Sequence, residues 1–188
     1  LGLPVLQPAS LRTPAAFADI RALRPDLIAV AAYGQWIPEN IFNLPPLRSL
    51  NLHPSLLPRH RGAAPVISAI LAGETHVGLS VHFVENEMDA GDLLAQMRVP
   101  LHEDDDTGTV MARLAEIGAP FFVETLAGWA AGKIRPATQD HSQANWIDRL
   151  KKDAGRIDWS ASAVEIARRC RAFSPWPSAF TFYYGRRL

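Results

Sequence analysis

Asn51, His53 and Asp89 supply an amide, an imidazole and a carboxylate. Together these groups can hold a carbonyl oxygen as charge builds on it and move a proton from an attacking amine. Asn51 and His53 stand two apart in Ser49-Leu50-Asn51-Leu52-His53, which reads as a strand, so both side chains leave one face. Acyl transfer to an amine needs no serine or cysteine nucleophile when the amine itself attacks. Asp89 would then orient His53 or hold a water that relays the proton. The spacing also admits a plainer reading, in which Asn51 caps a turn, His53 is a hydrogen-bonded core histidine and Asp89 opens the turn Asp89-Ala90-Gly91-Asp92.

The elements that must position these residues are legible on either side. Thr13-Pro14 starts a helix with a capping hydroxyl and a proline in the first turn, and Phe17, Ile20 and Leu23 recur at helical spacing before Pro25. Residues 26–32 are nearly all apolar, as in a strand covered on both faces of a parallel sheet. Residues 63–72 read as a helix closed by Gly73. Residues 77–84 and 93–99 read as strands, and 107–131 as a long helix with Val110, Leu114, Ile117, Phe121 and Leu126 near one stripe. The alternation predicts an α/β fold with a mostly parallel sheet, whose ligands bind beyond the carboxyl ends of the strands. His53 and Tyr33-Gly34 fall at such ends. Domain limits follow from composition: residues 1–132 as a catalytic domain, 133–152 as a polar linker, and 153–188 as the start of a second unit, with a helix over 161–172 and a strand over 179–184.

The 188 residues carry ordinary globular composition, 48% hydrophobic and 20% charged, with no apolar run of membrane-spanning length. The single cysteine, Cys170, excludes an internal disulfide and fits a reducing cytosol. The chain opens on Leu1 in mid-pattern and stops at Arg186-Arg187-Leu188 after a strand, which reads as a fragment. A formal net charge of zero hides an asymmetry: residues 149–188 hold nine Lys/Arg against three Asp/Glu, +6, leaving −6 for residues 1–148. A basic tail behind an acidic body suits a polyanion such as RNA, or is simply a solvated, arginine-rich helix face. His76, His82, His102 and His141 have no ligand-like spacing and read as surface or edge residues. Glu103 to Asp106 read as negative charge at a helix N-terminus. Trp159 and Trp176 read as core of the second unit rather than as RNA stackers.

The blocks Asn51-Leu52-His53-Pro54-Ser55-Leu56-Leu57-Pro58, Arg61-Gly62-Ala63-Ala64-Pro65 and Asp89-Ala90-Gly91 resemble, at matching spacing, the catalytic centre of the folate-dependent formyltransferases, and the likeness runs along the whole chain. The resemblance implies a Rossmann-like formyltransferase sheet flanked by helices, followed by the beginning of a small OB-like β-barrel. It implies that Asn51 and His53 act on a formyl oxygen while Asp89 assists His53 or a bound water. The donor it implies is 10-formyltetrahydrofolate, with no metal. The donor's contacts would be Gln35, Trp36 and Ile37, then Ser55, Leu56, Leu57 and Pro58, then Glu85, Asn86, Glu87 and Met88. A flat ring with polar edges suits backbone hydrogen bonds and aliphatic walls; Trp36 reads equally as a loop anchor. Arg59, Arg61 and Gly62 would face the acceptor. That loop, together with Arg156-Ile157-Asp158-Trp159-Ser160 and Ser174-Pro175-Trp176-Pro177, resembles members acting on methionyl initiator tRNA. Members acting on amino-sugar nucleotides are the alternative. A cytoplasmic, monomeric enzyme of translation initiation is expected. His60 and Ser174 depart from the residues usual in the family, outside the catalytic set.

Overall fold

The computed structural model describes residues 2–188. Its centre is a four-stranded sheet in the order β1 (Ile28–Ala31), β2 (Ser49–His53), β4 (His76–Phe83), β5 (Leu93–Pro100). The shorter β3 (Arg61–Gly62) lies outside this sheet. Strands β1 and β2 run parallel, so the turn after Ala31 and the imidazole of His53 emerge at the same edge. The expected α/β class holds, but within these four strands the parallel pairing stops at β2. The chain leaves β2 at its carboxyl end and β4 begins at that same end, with His53 opposite Ser80, so this pair is antiparallel. The short connection from β4 to β5 forces the next pair antiparallel as well. Strand β1 is the sheet's edge, and Ala29 and Ala31 are exposed, so the expected cover on both faces is found on one.

Helix α1 (Pro14–Ala22) starts where predicted, the Thr13 hydroxyl accepting from the Ala16 N–H at 3.2 Å. With the short α2 (Glu39–Phe42) it forms a separate cluster around Leu11, Ala16 and Ile41. Helix α3 (Pro65–Ala72) ends on Gly73 at φ +69°, a left-handed cap that glycine adopts without steric cost. Helix α4 (Thr107–Ala130) opens on a capping box in which Asp106 accepts from Thr109, while its neighbour Asp105 pairs with Arg113. The acidic run therefore does more than sit in the field of the helix.

The main core joins α3 and α4 to the sheet through Val66, Ile70, Val77, Leu79, Val110 and Leu114. It also takes in Ala172 at the end of α5 (Ala163–Ala172) and the adjoining Phe173. The residues expected to start a second unit are thus partly built into the first unit's core. Beyond them lie a hairpin of β7 (Phe182–Tyr183) and β8 (Arg186–Arg187) and a bridge between Arg156 and Phe180. Trp159 and Trp176 are not core: they are 67% and 54% exposed. The hairpin is too short to bury them; Trp159 instead donates its indole N–H to the Thr181 hydroxyl. No helix among the described residues is long and apolar enough to cross a membrane.

Candidate active site

The site is assembled from adjoining strands. Asn51 and His82 are direct partners across the β2–β4 ladder, so their side chains share a face. Asn51 Nδ2 lies 3.1 Å from His82 Nε2. Asp89, in the turn between β4 and β5, reaches both rings: Oδ2 lies 3.6 Å from His53 Nδ1 and Oδ1 lies 3.5 Å from His82 Nε2. Its Oδ2 also accepts the backbone N–H of Gly62 at 2.9 Å. The structure thus brings Asn51, His53 and Asp89 together, and places the backbone of Gly62, expected to face the acceptor, against the same carboxylate.

The carbonyl partners fix both tautomers. His53 Nε2 is 3.0 Å from the carbonyl of His60, which can only accept, so Nε2 carries the hydrogen. In the neutral ring Nδ1 is then the free lone pair, and it faces Asp89. His82 is the reverse. Its Nδ1 donates to the Phe83 carbonyl at 2.8 Å, leaving Nε2 to accept an N–H from Asn51. Asn51 keeps a second N–H for a ligand oxygen.

Burial is the largest influence on His53 and lowers its pKa, against the raising effect of Asp89 and of the His60 carbonyl. Burial pushes the Asp89 carboxyl up, but His82 and His53 when they carry a proton on the nitrogen facing it, and the Gly62 N–H, more than offset it and hold it below its ordinary value. A neutral base therefore faces an ionised carboxylate at neutral pH. A proton arriving at Nδ1 would form an ion pair with Asp89. The acidic limb of kcat/KM is accordingly expected below the ordinary imidazole value of about 6.5. Asp89→Asn removes a raising influence and should move that limb to still lower pH, as a pH–rate profile would read.

His82 is the residue that sequence reasoning missed. Read as a surface or edge position, it is buried near the carboxyl end of β4. The available signal was polar: Ser80 and His82, two apart, interrupt an otherwise apolar strand, and the antiparallel register places them opposite His53 and Asn51. A ladder irregularity between Val81 and His82 adjusts the aim of the ring. His82→Leu strands the Asn51 N–H and is expected to lower kcat about tenfold. His82→Gln, which supplies an acceptor oxygen, should recover most of that loss in the same assay.

The proposed donor contacts divide into two groups. Asn86 donates to Glu39 at 3.2 Å, and Glu85 pairs with Arg48 at 3.1 Å, bringing residues 85–88 beside the turn that carries Gln35, Trp36 and Ile37. Tyr33, Trp36 and Met88 remain exposed on these loops. Ser55 to Pro58 are tied inward instead. The Ser80 hydroxyl donates to the Ser55 carbonyl and accepts from the Leu57 N–H, and Gln96 donates to the Leu57 carbonyl. Ser55 and Leu56 line a cavity of about 60 Å³ with Arg59, His60 and Glu74.

Arg59, half-exposed, is paired with Glu74. Arg61, expected to face the acceptor, is 1% exposed and spends its guanidinium inside the fold. It donates to Glu87 at 3.2 Å and to Gln139 at 2.8 Å, and lies 3.0 Å from His141 Nδ1. The cause is a strap from the presumed linker: β6 (Trp146–Ile147) pairs in parallel with β3 and covers Arg61. A Cβ at Gly62 would collide with the Ile147 carbonyl, so this approach requires glycine.

An amide, an imidazole–carboxylate pair and a spare N–H converge beyond the strand ends, a set of groups that can support acyl transfer to an amine. The formyl transferase pattern matches residues 3–126, and the formyl transferase C-terminal domain matches residues 149–188. The chain belongs to the formyl transferase family. It is 48% identical over 187 residues to a methionyl-tRNA formyltransferase of Chloroflexus aggregans, covering 100% of this chain and 60% of the relative. The chain spans about 60% of the length of the curated relatives it matches. Among solved structures, a sugar N-formyltransferase from Shewanella superposes with a TM-score of 0.80 at 21% identity, over 95% of this chain and 73% of its own. HypX from Aquifex aeolicus in complex with tetrahydrofolic acid superposes at 0.78 and 22%, over 93% of this chain and 30% of its own. At such identities these two speak for the fold alone.

Proposed function

We propose that the protein carrying this chain transfers a formyl group from 10-formyltetrahydrofolate to the amino group of methionyl initiator tRNA, giving N-formylmethionyl-tRNA for translation initiation. The observation that carries the chemistry is the His53 ring, held at Nε2 by the His60 carbonyl with Nδ1 3.6 Å from Asp89, beside an Asn51 amide with an N–H to spare. The donor supplies a formyl carbon whose bond to folate nitrogen is exchanged for a bond to the acceptor amine. Asn51 donates to the formyl oxygen as charge grows there, His53 takes the amine proton at Nδ1 while Asp89 stabilises the imidazolium, and the same proton is returned to the departing folate nitrogen as its bond to the formyl carbon breaks. Exposed Tyr33, Trp36 and Met88 offer apolar walls for a flat ring, and Gln35, Glu85 and Asn86 offer polar edges. Ser55 to Pro58 act by shaping the floor through Ser80 and Gln96. Residues 1–132 form the catalytic unit and 153–188 the start of the tRNA-binding unit. The enzyme works as a cytoplasmic monomer without a metal.

The choice of acceptor rests on two supports. Relatives 42–48% identical over at least 96% of this chain are named methionyl-tRNA formyltransferases. The basic stretch 149–188 also displays Trp159, Trp176, Phe182, Tyr183 and Tyr184 at its surface, and cations among exposed aromatic rings suit an RNA backbone and its bases. The alternative, an amino-sugar nucleotide acceptor, is favoured only by fold likeness. The test is incubation with 10-formyltetrahydrofolate and each acceptor in parallel. Formylation of methionyl-tRNA alone supports the proposal; turnover of the amino sugar alone replaces it.

A further inference from the structure

Asp89 reaches both histidines from a left-handed backbone, at φ +54°. That conformation is uncommon for a residue other than glycine and is helped by contacts that hold the turn. The carboxamide of Gln139, 4% exposed, is in place to do so. Its nitrogen donates to the Asp89 carbonyl at 2.9 Å and to the Gly91 carbonyl at 2.7 Å, using both N–H groups across the turn. Its oxygen accepts from Arg61 Nη2. The segment around it is anchored on both sides. Ala137 exchanges two backbone hydrogen bonds with Leu93, at 2.8 and 2.9 Å. Further along, Asn145 accepts from the backbone N–H groups of His60 and Arg61, before β6 pairs with β3.

We propose that Gln139 is a positioning residue for formyl transfer: from the segment joining the two units, its amide clamps the Asp89 turn so that the carboxylate faces His53. Gln139 touches no reacting atom; it acts through Asp89. A consequence is that the segment leading to the RNA-facing unit is mechanically continuous with the catalytic carboxylate. This inference rests on the proposed function, and its test therefore includes one arm that needs no substrate.

Two variants separate the contacts. Gln139→Glu keeps the size and an acceptor for Arg61 but removes both donors to the turn; Gln139→Met removes every polar contact without adding charge. Both are expected to lower kcat about tenfold or more, with KM for donor and acceptor within about twofold. In an Asp89→Asn background Gln139→Met should cost nothing further, because the clamp has lost its purpose. In NMR pH titrations without substrate, the His53 ring should titrate at lower pH in Gln139→Met than in the unaltered protein, since the displaced carboxylate no longer favours its protonated form. Unchanged kcat, an equal loss in the Asp89→Asn background, or an unmoved His53 titration would overturn the inference. If the unaltered protein formylates neither acceptor, the proposed function fails and the His53 titration alone decides the clamp: a shift upholds it, none removes it.

Discussion

His53→Ala is expected to lower formyl transfer about 10²–10⁴-fold, the usual contribution of a positioned proton acceptor. The loss should fall on kcat, with KM for methionyl-tRNA little altered, because His53 is buried beneath Asn51 and Asp89 and offers little surface for ground-state binding. Stability should change less than activity. The substitution removes one hydrogen bond to the His60 carbonyl and relieves the cost of burying an imidazole. Steady-state kinetics beside a thermal melt would separate the two effects. Retained kcat would return His53 to its plainer reading as a core histidine.

The second large effect concerns architecture. Phe173→Ala is expected to destabilise the protein by about 3–5 kcal/mol, the range for emptying a buried aromatic site. The ring is 2% exposed, packed with Ala172 against α3 and α4 in the core that supports the sheet, with the Arg169 guanidinium 5.2 Å from its centroid. Because Phe173 ties residues 149–188 to the catalytic body, the variant should also loosen that unit. Denaturant unfolding would show a lowered midpoint, and limited proteolysis would show earlier cleavage after residue 148. A full-stability variant would mean that the two units are held together elsewhere.

The readable parts of this chain are those whose determinants are local. β2, β4, β5 and the long α4 fall within a residue or two of the expected positions, since apolar runs and caps such as Asp106 and Gly73 are written into adjacent residues. Asn51, His53 and Asp89 are legible as candidates because a motif marks them. What escaped depends on partners distant in sequence. Arg61 looks like a surface arginine until Gln139, His141 and Trp146 cover it. His82 joins the site only through the β2–β4 register. The polar stretch after residue 132 reads as a linker because its work is done by backbone pairing and side-chain amides, which leave no periodic pattern. Alternating elements point to the α/β class and to strands that mostly run one way, as β1, β2 and β5 do, but alternation does not reveal that β4 enters from the end at which β2 leaves.

The central claim is that His53 offers Nδ1 as a lone pair to an incoming proton, opposite an ionised Asp89. Nitrogen NMR of the protein with labelled histidine reads this directly. At pH 7.5 a neutral His53 ring protonated on Nε2 is expected, with Nδ1 taking up a proton below the ordinary imidazole range. A ring protonated on Nδ1, or an imidazolium persisting at that pH, would contradict it: the nitrogen facing Asp89 would already be occupied, and the amine's proton would have to leave by another route.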